Sequence, residues 1–229
     1  PASHPELMKK NSAFTLIELL VVISIIAILA GLAFKAFGPA IESARAKADL
    51  NNLKSIGTGM RTYLNDTDEA MFSASDKDAW TVTLQKKYVQ DWRSFQSPFD
   101  KRTAFNGTNN APVSYGLNKA VLDTVVTRWD NSISQVIVAA PNVDVKSGGK
   151  SKPVKFVTAD SASDAATPII KTPPTDPDCG THQSRQSINV LFGDGHVEQL
   201  NWGPSQQAGS YTDTSSAIGK QRWSPMSSN

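Results

Sequence analysis

The polarity pattern divides the chain into two regions. From Phe14 to Phe34 the residues read FTLIELLVVISIIAILAGLAF, an apolar run of 21 residues whose single charge is Glu18. As an α-helix this run is about 31 Å long, the thickness of a bilayer core, and so it predicts a helix able to span a membrane. A secretory signal peptide fits less well. The run is longer than the usual apolar signal core, no Ala-x-Ala site with a break follows it, and Lys35 leads into more helix-compatible sequence. Lys9 and Lys10 before the span predict a cytoplasmic N-terminus with the C-terminal bulk carried across the membrane; Lys35, Arg45 and Lys47 weigh against that orientation.

Beyond the span, Gly38-Pro39 predicts a kink or local melting, because proline removes a helical donor and crowds the preceding turn. Helical spacing resumes from Ala40 to Leu64. Ile41, Ala44, Ala48, Leu50, Leu53, Ile56 or Gly57, Met60 and Leu64 form one stripe, while Glu42, Arg45, Lys47, Asp49 and Lys54 lie largely off it. This is the pattern of an amphipathic helix covering a core; the spacing is not sustained enough for an independent coiled coil. Asn65 to Glu69 closes the helix as a solvated turn, since the twelve-position calcium-loop pattern is absent. Trp80, Leu84 and Tyr88 predict a short helix within 76–89, capped by Asp76 or Asp78.

The later chain changes period. Val136-Ile137-Val138, Val154 to Val157, Ile188 to Phe192 and His196 to Leu200 are β-prone runs separated by Gly, Pro, Ser and Asn. The expected fold class is therefore α+β, an antiparallel sheet packed on the long helix. Ser147 to Ser151 lacks phosphate-loop spacing and reads as a hairpin turn, Lys171 to Pro177 as a stiff surface loop, and the Ser-rich tail after Trp202 as loosely held apart from Trp223.

Composition narrows the function classes. The 229 residues suffice for one domain with an appendage. Twenty-three basic and 21 acidic residues leave a net charge of +2, so the balance gives no electrostatic case for nucleic acid. The lone Cys179 excludes an internal disulfide and a cysteine zinc cluster.

Two places carry candidate chemistry. Glu18 is an ionisable group about one turn into a membrane helix, which is costly unless it is paired, neutralised or at the interface. The second place is His182, Asp194 and His196, with Asp160 as a possible fourth ligand. These could form a nitrogen and oxygen metal site, against the plainer reading of Asp194-Gly195 as a tight hairpin in which both turn positions take φ > 0. The chain shows no nucleophile–base pair, and neither a catalytic residue nor a cofactor is assigned.

Lys9-Lys10-Asn11-Ser12-Ala13 followed by Phe14-Thr15-Leu16-Ile17-Glu18-Leu19-Leu20-Val21-Val22 closely resembles the type III signal of type IV pilins and type II secretion pseudopilins. The resemblance implies that a prepilin peptidase cuts between Ala13 and Phe14 and methylates the new amine, leaving Glu18 as the fifth mature residue. Ala13 stands where the family usually has Gly, and Pro1 to Leu7 have no counterpart in its short leader. Asn189 to Val197, with His182 before it, is similar to the C-terminal signature of a large pseudopilin-like family, His, nine residues, then Asp-Gly. Here eleven residues separate His182 from Asp194. Asn51 to Gly57, Ser97 to Asp100 and Ser114 to Asn118 are similar to motifs of the same family. That family often carries cysteines where Asp49 and Ser97 stand, so any disulfide of that pattern is absent here.

The resemblance implies a pilin-like body and a division into a leader (1–13), a transmembrane and assembly helix (14–37), its amphipathic continuation (38–64) and an extracytoplasmic α/β body (65–229). It implies a filament subunit that partners with copies of itself or other pilins, prepilin peptidase, an inner-membrane assembly platform and, before assembly, membrane lipid. The precursor would lie in the inner membrane and the filament in the periplasm or at the cell surface. With no partner for Glu18 expected in its own helix, the amine of Phe14, in the same or a neighbouring subunit, is the cation to pair with it. The competing class is a membrane-tethered enzyme or metal-binding protein using His182, Asp194 and His196.

Overall fold

The computed structural model describes residues 14–73, 80–100, 113–128, 135–139, 146–147, 150–151, 169–170, 180–181, 186–201, 203, 207–211, 213 and 215–224. The chain forms two compact units, Pro1–Ile41 and Glu42–Asn229. The leader, Asp76 and Asp78, the expected strand at Val154 to Val157, the loop at Lys171 to Pro177, and Asp160, Cys179 and His182 fall outside the described residues.

The apolar run and the amphipathic stretch form one helix, α1 (Leu16–Asp66). The expected melting at Gly38-Pro39 does not occur: Pro39 lies inside the helix. Proline's fixed φ is already helical, so the position loses one donor without forcing the chain out of the helix.

In the second unit α1 turns one face to the body. Leu53, Ile56, Met60 and Leu64 are buried, joined by Trp80 and Leu84 from α2 (Trp80–Lys87) and by Phe95, Tyr115, Leu117, Ile137, Val138 and Leu191. The stripe differs from expectation at its beginning. Ile41, Ala44 and Ala48 are exposed, and Asp49, expected off the stripe, is fully buried. The reason is spacing: 49, 53, 56, 60 and 64 follow the three-and-four step of one helix face, so Asp49 lies directly above Leu53.

Five strands make the main sheet in the order β5-β1-β2-β6-β7: β1 (Gly116–Asn118), β2 (Val136–Ala139), β5 (Ile169–Ile170), β6 (Ser187–Phe192) and β7 (Val197–Asn201). All neighbours are antiparallel except β1 and β5, which run parallel. Between them in sequence, β3 (Lys146–Ser147) and β4 (Lys150–Ser151) pair as a separate antiparallel ribbon, as a hairpin at this place requires.

Strand β6 is buried along its whole length. Its alternate side chains serve two cores: Leu191 packs with the α1 cluster, whereas Ile188, Val190 and Phe192 join Val136, Leu200, Tyr211 and Trp223 on the other side. That second core corrects the expectation of a loose tail. Tyr211 and Asp213 are fully buried, and Ala217–Trp223 form helix α3. Ser216 caps α3 by accepting the Gly219 amide at 3.1 Å. The Asp213 carboxylate accepts the amides of Gly209 (3.0 Å), Ser215 (3.3 Å) and Ser216 (3.0 Å), and also the Ser216 hydroxyl. Burial pushes Asp213 up, but these four donors outweigh it and hold its carboxyl below the usual range.

Candidate processing and assembly segment

The first described residues are Phe14 and Thr15, with α1 beginning at Leu16, so Thr15 occupies the helix N-cap and Glu18 the third helical position. The Thr15 amide donates to Glu18 Oε2 at 2.9 Å and the Thr15 hydroxyl to the same oxygen at 2.7 Å, while the Glu18 amide donates to Thr15 Oγ1 at 3.3 Å. This is a capping box, the arrangement that Thr-x-x-Glu before an apolar run encodes. It corrects the expectation that Glu18 lacks a partner in its own helix. The missed signal was local, since Thr15 lies three residues before Glu18. Both Thr15 donors fall on Oε2, and among the described residues Oε1 receives no hydrogen bond.

From Leu16 to Phe34 the helix is long and apolar enough to cross a membrane, and none of this stretch is buried within the protein. Leu16, Ile17, Leu29 and Phe34 are each at least 60% exposed. Ser24, the polar residue in mid-span, donates its hydroxyl to the Val21 carbonyl at 2.8 Å, so no hydroxyl proton is left unpaired in an apolar surround. The segment thus combines a fastened carboxylate at its start with a run of exposed apolar side chains.

The metal candidates are not brought together. His182 lies outside the described residues, and among the described residues no group of three or more His, Cys, Asp or Glu is arranged to hold a metal ion. Asp194 and His196 do meet, within the β6–β7 hairpin. Phe192 carbonyl accepts from the Gly195 amide and His196 carbonyl from the Phe192 amide, both at 2.9 Å. Of the Asp-Gly pair only Gly195 takes a positive φ, 87°, so the expected turn with two such residues is replaced by a three-residue loop.

Asp194 Oδ1 accepts the His196 amide at 3.0 Å and also contacts His196 Nδ1. The imidazole stacks flat on Phe192 with centroids 4.3 Å apart, and its Nε2 lies 3.9 Å from Glu198. Burial raises the Asp194 carboxyl, and the bonds from His196 outweigh that effect, holding it below its ordinary value. The arrangement fastens a turn. Beside it, Gly57, Met60, Arg61, Leu64, Leu191 and Gly195 line a surface depression that encloses no volume able to hold a ligand.

Residues 8–34 match the family model of the prokaryotic N-terminal methylation motif. The match spans Ala13, Phe14, Thr15 and Glu18 and ends with the apolar run. The chain therefore carries a type IV pilin-like prepilin signal joined to an N-terminal apolar helix. No curated protein and no solved structure matches the chain.

Proposed function

We propose that the protein is a structural pilin-like subunit, cut between Ala13 and Phe14 by prepilin peptidase and polymerised through α1 into a type IV pilus or type II secretion pseudopilus. The observation that carries this reading is the methylation motif over residues 8–34, followed by a helix whose apolar side chains find no cover within the protein. Lipid covers those side chains in the precursor; the helices of neighbouring subunits cover them in the filament.

Glu18 then has two successive tasks. In the membrane the Thr15 amide and hydroxyl supply the hydrogen bonds that a carboxylate in an apolar setting needs. On assembly Oε1, which takes no hydrogen bond among the described residues, meets the amine of Phe14 from a neighbouring subunit. Low dielectric strengthens that attraction, and desolvation offsets much of it, so the pair sets stagger more than it adds stability. The precursor sits in the inner membrane with its N-terminus cytoplasmic, and the assembled body lies in the periplasm or at the cell surface. Partners are other pilin chains, the peptidase and the assembly platform; no catalytic residue, cofactor or nucleic acid enters this reading.

The test joins processing to assembly. The protein is co-expressed with a prepilin peptidase and its intact mass measured, then membranes and sheared filaments are compared by fractionation and electron microscopy for wild type and Glu18→Leu. The expected result is a mature chain beginning at Phe14 in both, membrane insertion in both, and regular filaments from wild type alone. Normal filaments from a fully processed Glu18→Leu protein would sink the stagger role. A persistent leader, or a cut beyond the apolar run, would reject the subunit reading in favour of a membrane-tethered protein of another kind.

A further inference from the structure

Asp49 is fully buried at the start of the helix face that meets the body. Three donors from distant parts of the chain converge on it: Ser97 Oγ to Oδ1 at 2.5 Å, Tyr115 Oη to Oδ1 at 2.8 Å, and Asn189 Nδ2 to Oδ2 at 2.8 Å. Two flanking bonds tie the same turns of α1. Asn189 Nδ2 also reaches the Ala46 carbonyl at 3.2 Å, and Asn52 Nδ2 donates to the Gln96 carbonyl at 2.9 Å. Further along this face the contacts are apolar, and an apolar stripe alone has nearly equivalent seatings one helical turn apart.

We propose that the node centred on Asp49 is a register key, which permits α1 a single axial seating on the sheet. A slip of one turn, about 5.4 Å, would carry Leu53 or Arg45 into the seat of Asp49. Ser97, Tyr115 and Asn189 would then lose a common acceptor, and sliding the other way would drive the carboxylate into the apolar place of Leu53. A buried group stripped of its partners costs far more than an apolar mismatch, so the polar node selects among seatings that packing tolerates. Steric keys agree with it. A Cβ at Gly57 would lie 2.7 Å from Leu191 Cδ1, and one at Gly59 would lie 2.3 Å from Val89 Cγ2. No residue one turn away along the helix is a glycine, so no slipped register offers these two gaps. A force along this part of α1 is delivered to β6 and to the Ser97 segment through the node. The node lies wholly within the unit Glu42–Asn229 and acts whether or not the chain polymerises.

The test uses the full isotope-labelled chain in detergent micelles, with amide spectra and helix-to-sheet distance restraints for residues 46–64. Asp49→Leu is compared with a whole-node variant, in which the carboxylate and the three side chains that donate to it are made apolar together: Asp49→Leu, Ser97→Ala, Tyr115→Phe and Asn189→Leu. Wild type is expected to give one set of signals. The whole-node variant is expected to remain folded with two or more sets across 46–64, and Asp49→Leu to give the same multiplicity or a loss of signal that the whole-node variant repairs. A whole-node variant showing the single wild-type seating overturns the proposal. So does one with no folded body, because the node would then hold the fold itself and not its register.

Discussion

Ser97 donates its hydroxyl to the Asp49 carboxylate at 2.5 Å, across 48 residues of sequence. The fold places these two side chains, one on α1 and the other in the segment before β1, against each other. Asp49→Cys with Ser97→Cys should therefore close a disulfide under mild oxidation. The oxidised form should unfold at a higher denaturant concentration than the reduced form of the same variant, with a chain-entropy gain of up to about 4 kcal/mol. Free thiols persisting after oxidation, counted by alkylation and mass, would contradict this geometry.

Leu53 is fully buried on α1 and Lys54, the next residue, is exposed. Leu53→Asp should cost several kcal/mol by placing an unpaired charge in the core, whereas Lys54→Asp should stay within about 0.5 kcal/mol. Urea unfolding followed by tryptophan fluorescence measures both, and equal midpoints would place Leu53 outside the core.

The two close-approach glycines separate in size of effect. Alanine at Gly59 meets the stiff, β-branched Val89 at 2.3 Å, whereas alanine at Gly57 meets the movable end of Leu191 at 2.7 Å. Gly59→Ala should destabilise by about 1–3 kcal/mol. For Gly57→Ala, the roughly 1 kcal/mol gain in helix propensity offsets most of the strain. The order of the two unfolding midpoints tests this.

Thr15→Val keeps the volume of the N-cap side chain and removes its hydroxyl. Hydrogen exchange of amides 16–18 should quicken roughly fivefold, as expected for a lost cap, with membrane insertion unchanged. Unaltered exchange would mean that Thr15 does not fasten Glu18 in the membrane.

Asp213 has its carboxyl held below the unfolded value, so its stabilising effect is fully present above the unfolded carboxylate pKa near 3.9 and is lost as pH falls through the lower, folded value. The stability difference between wild type and Asp213→Asn should be flat from about pH 5 upward and shrink below about pH 4. Acid titration of the unfolding midpoint checks it; a difference that persists unchanged at the lowest pH would assign the loop's stability to shape and not to charge.

The amino-terminal segment was legible in the sequence because its determinants are local. An apolar run of bilayer length, a basic flank and the methylation motif over residues 8–34 are properties of consecutive residues, as is Thr15 to Glu18, which the pattern contained as a capping box. The helix at Trp80 and strands β2, β6 and β7 were readable for the same reason, each from its own period. What the sequence left open depends on where the chain returns to itself. Asp49 looks like a surface charge until Ser97, Tyr115 and Asn189 arrive from 48, 66 and 140 residues away to accommodate it. The polar tail looks loose until Tyr211 and Trp223 cover the second face of β6 and Asp213 gathers its four donors. Local pattern settles which segments are helical, extended or fit for lipid; whether a polar side chain is buried is settled only by the partners that tertiary structure brings, because its desolvation is tolerable only where they are all in place.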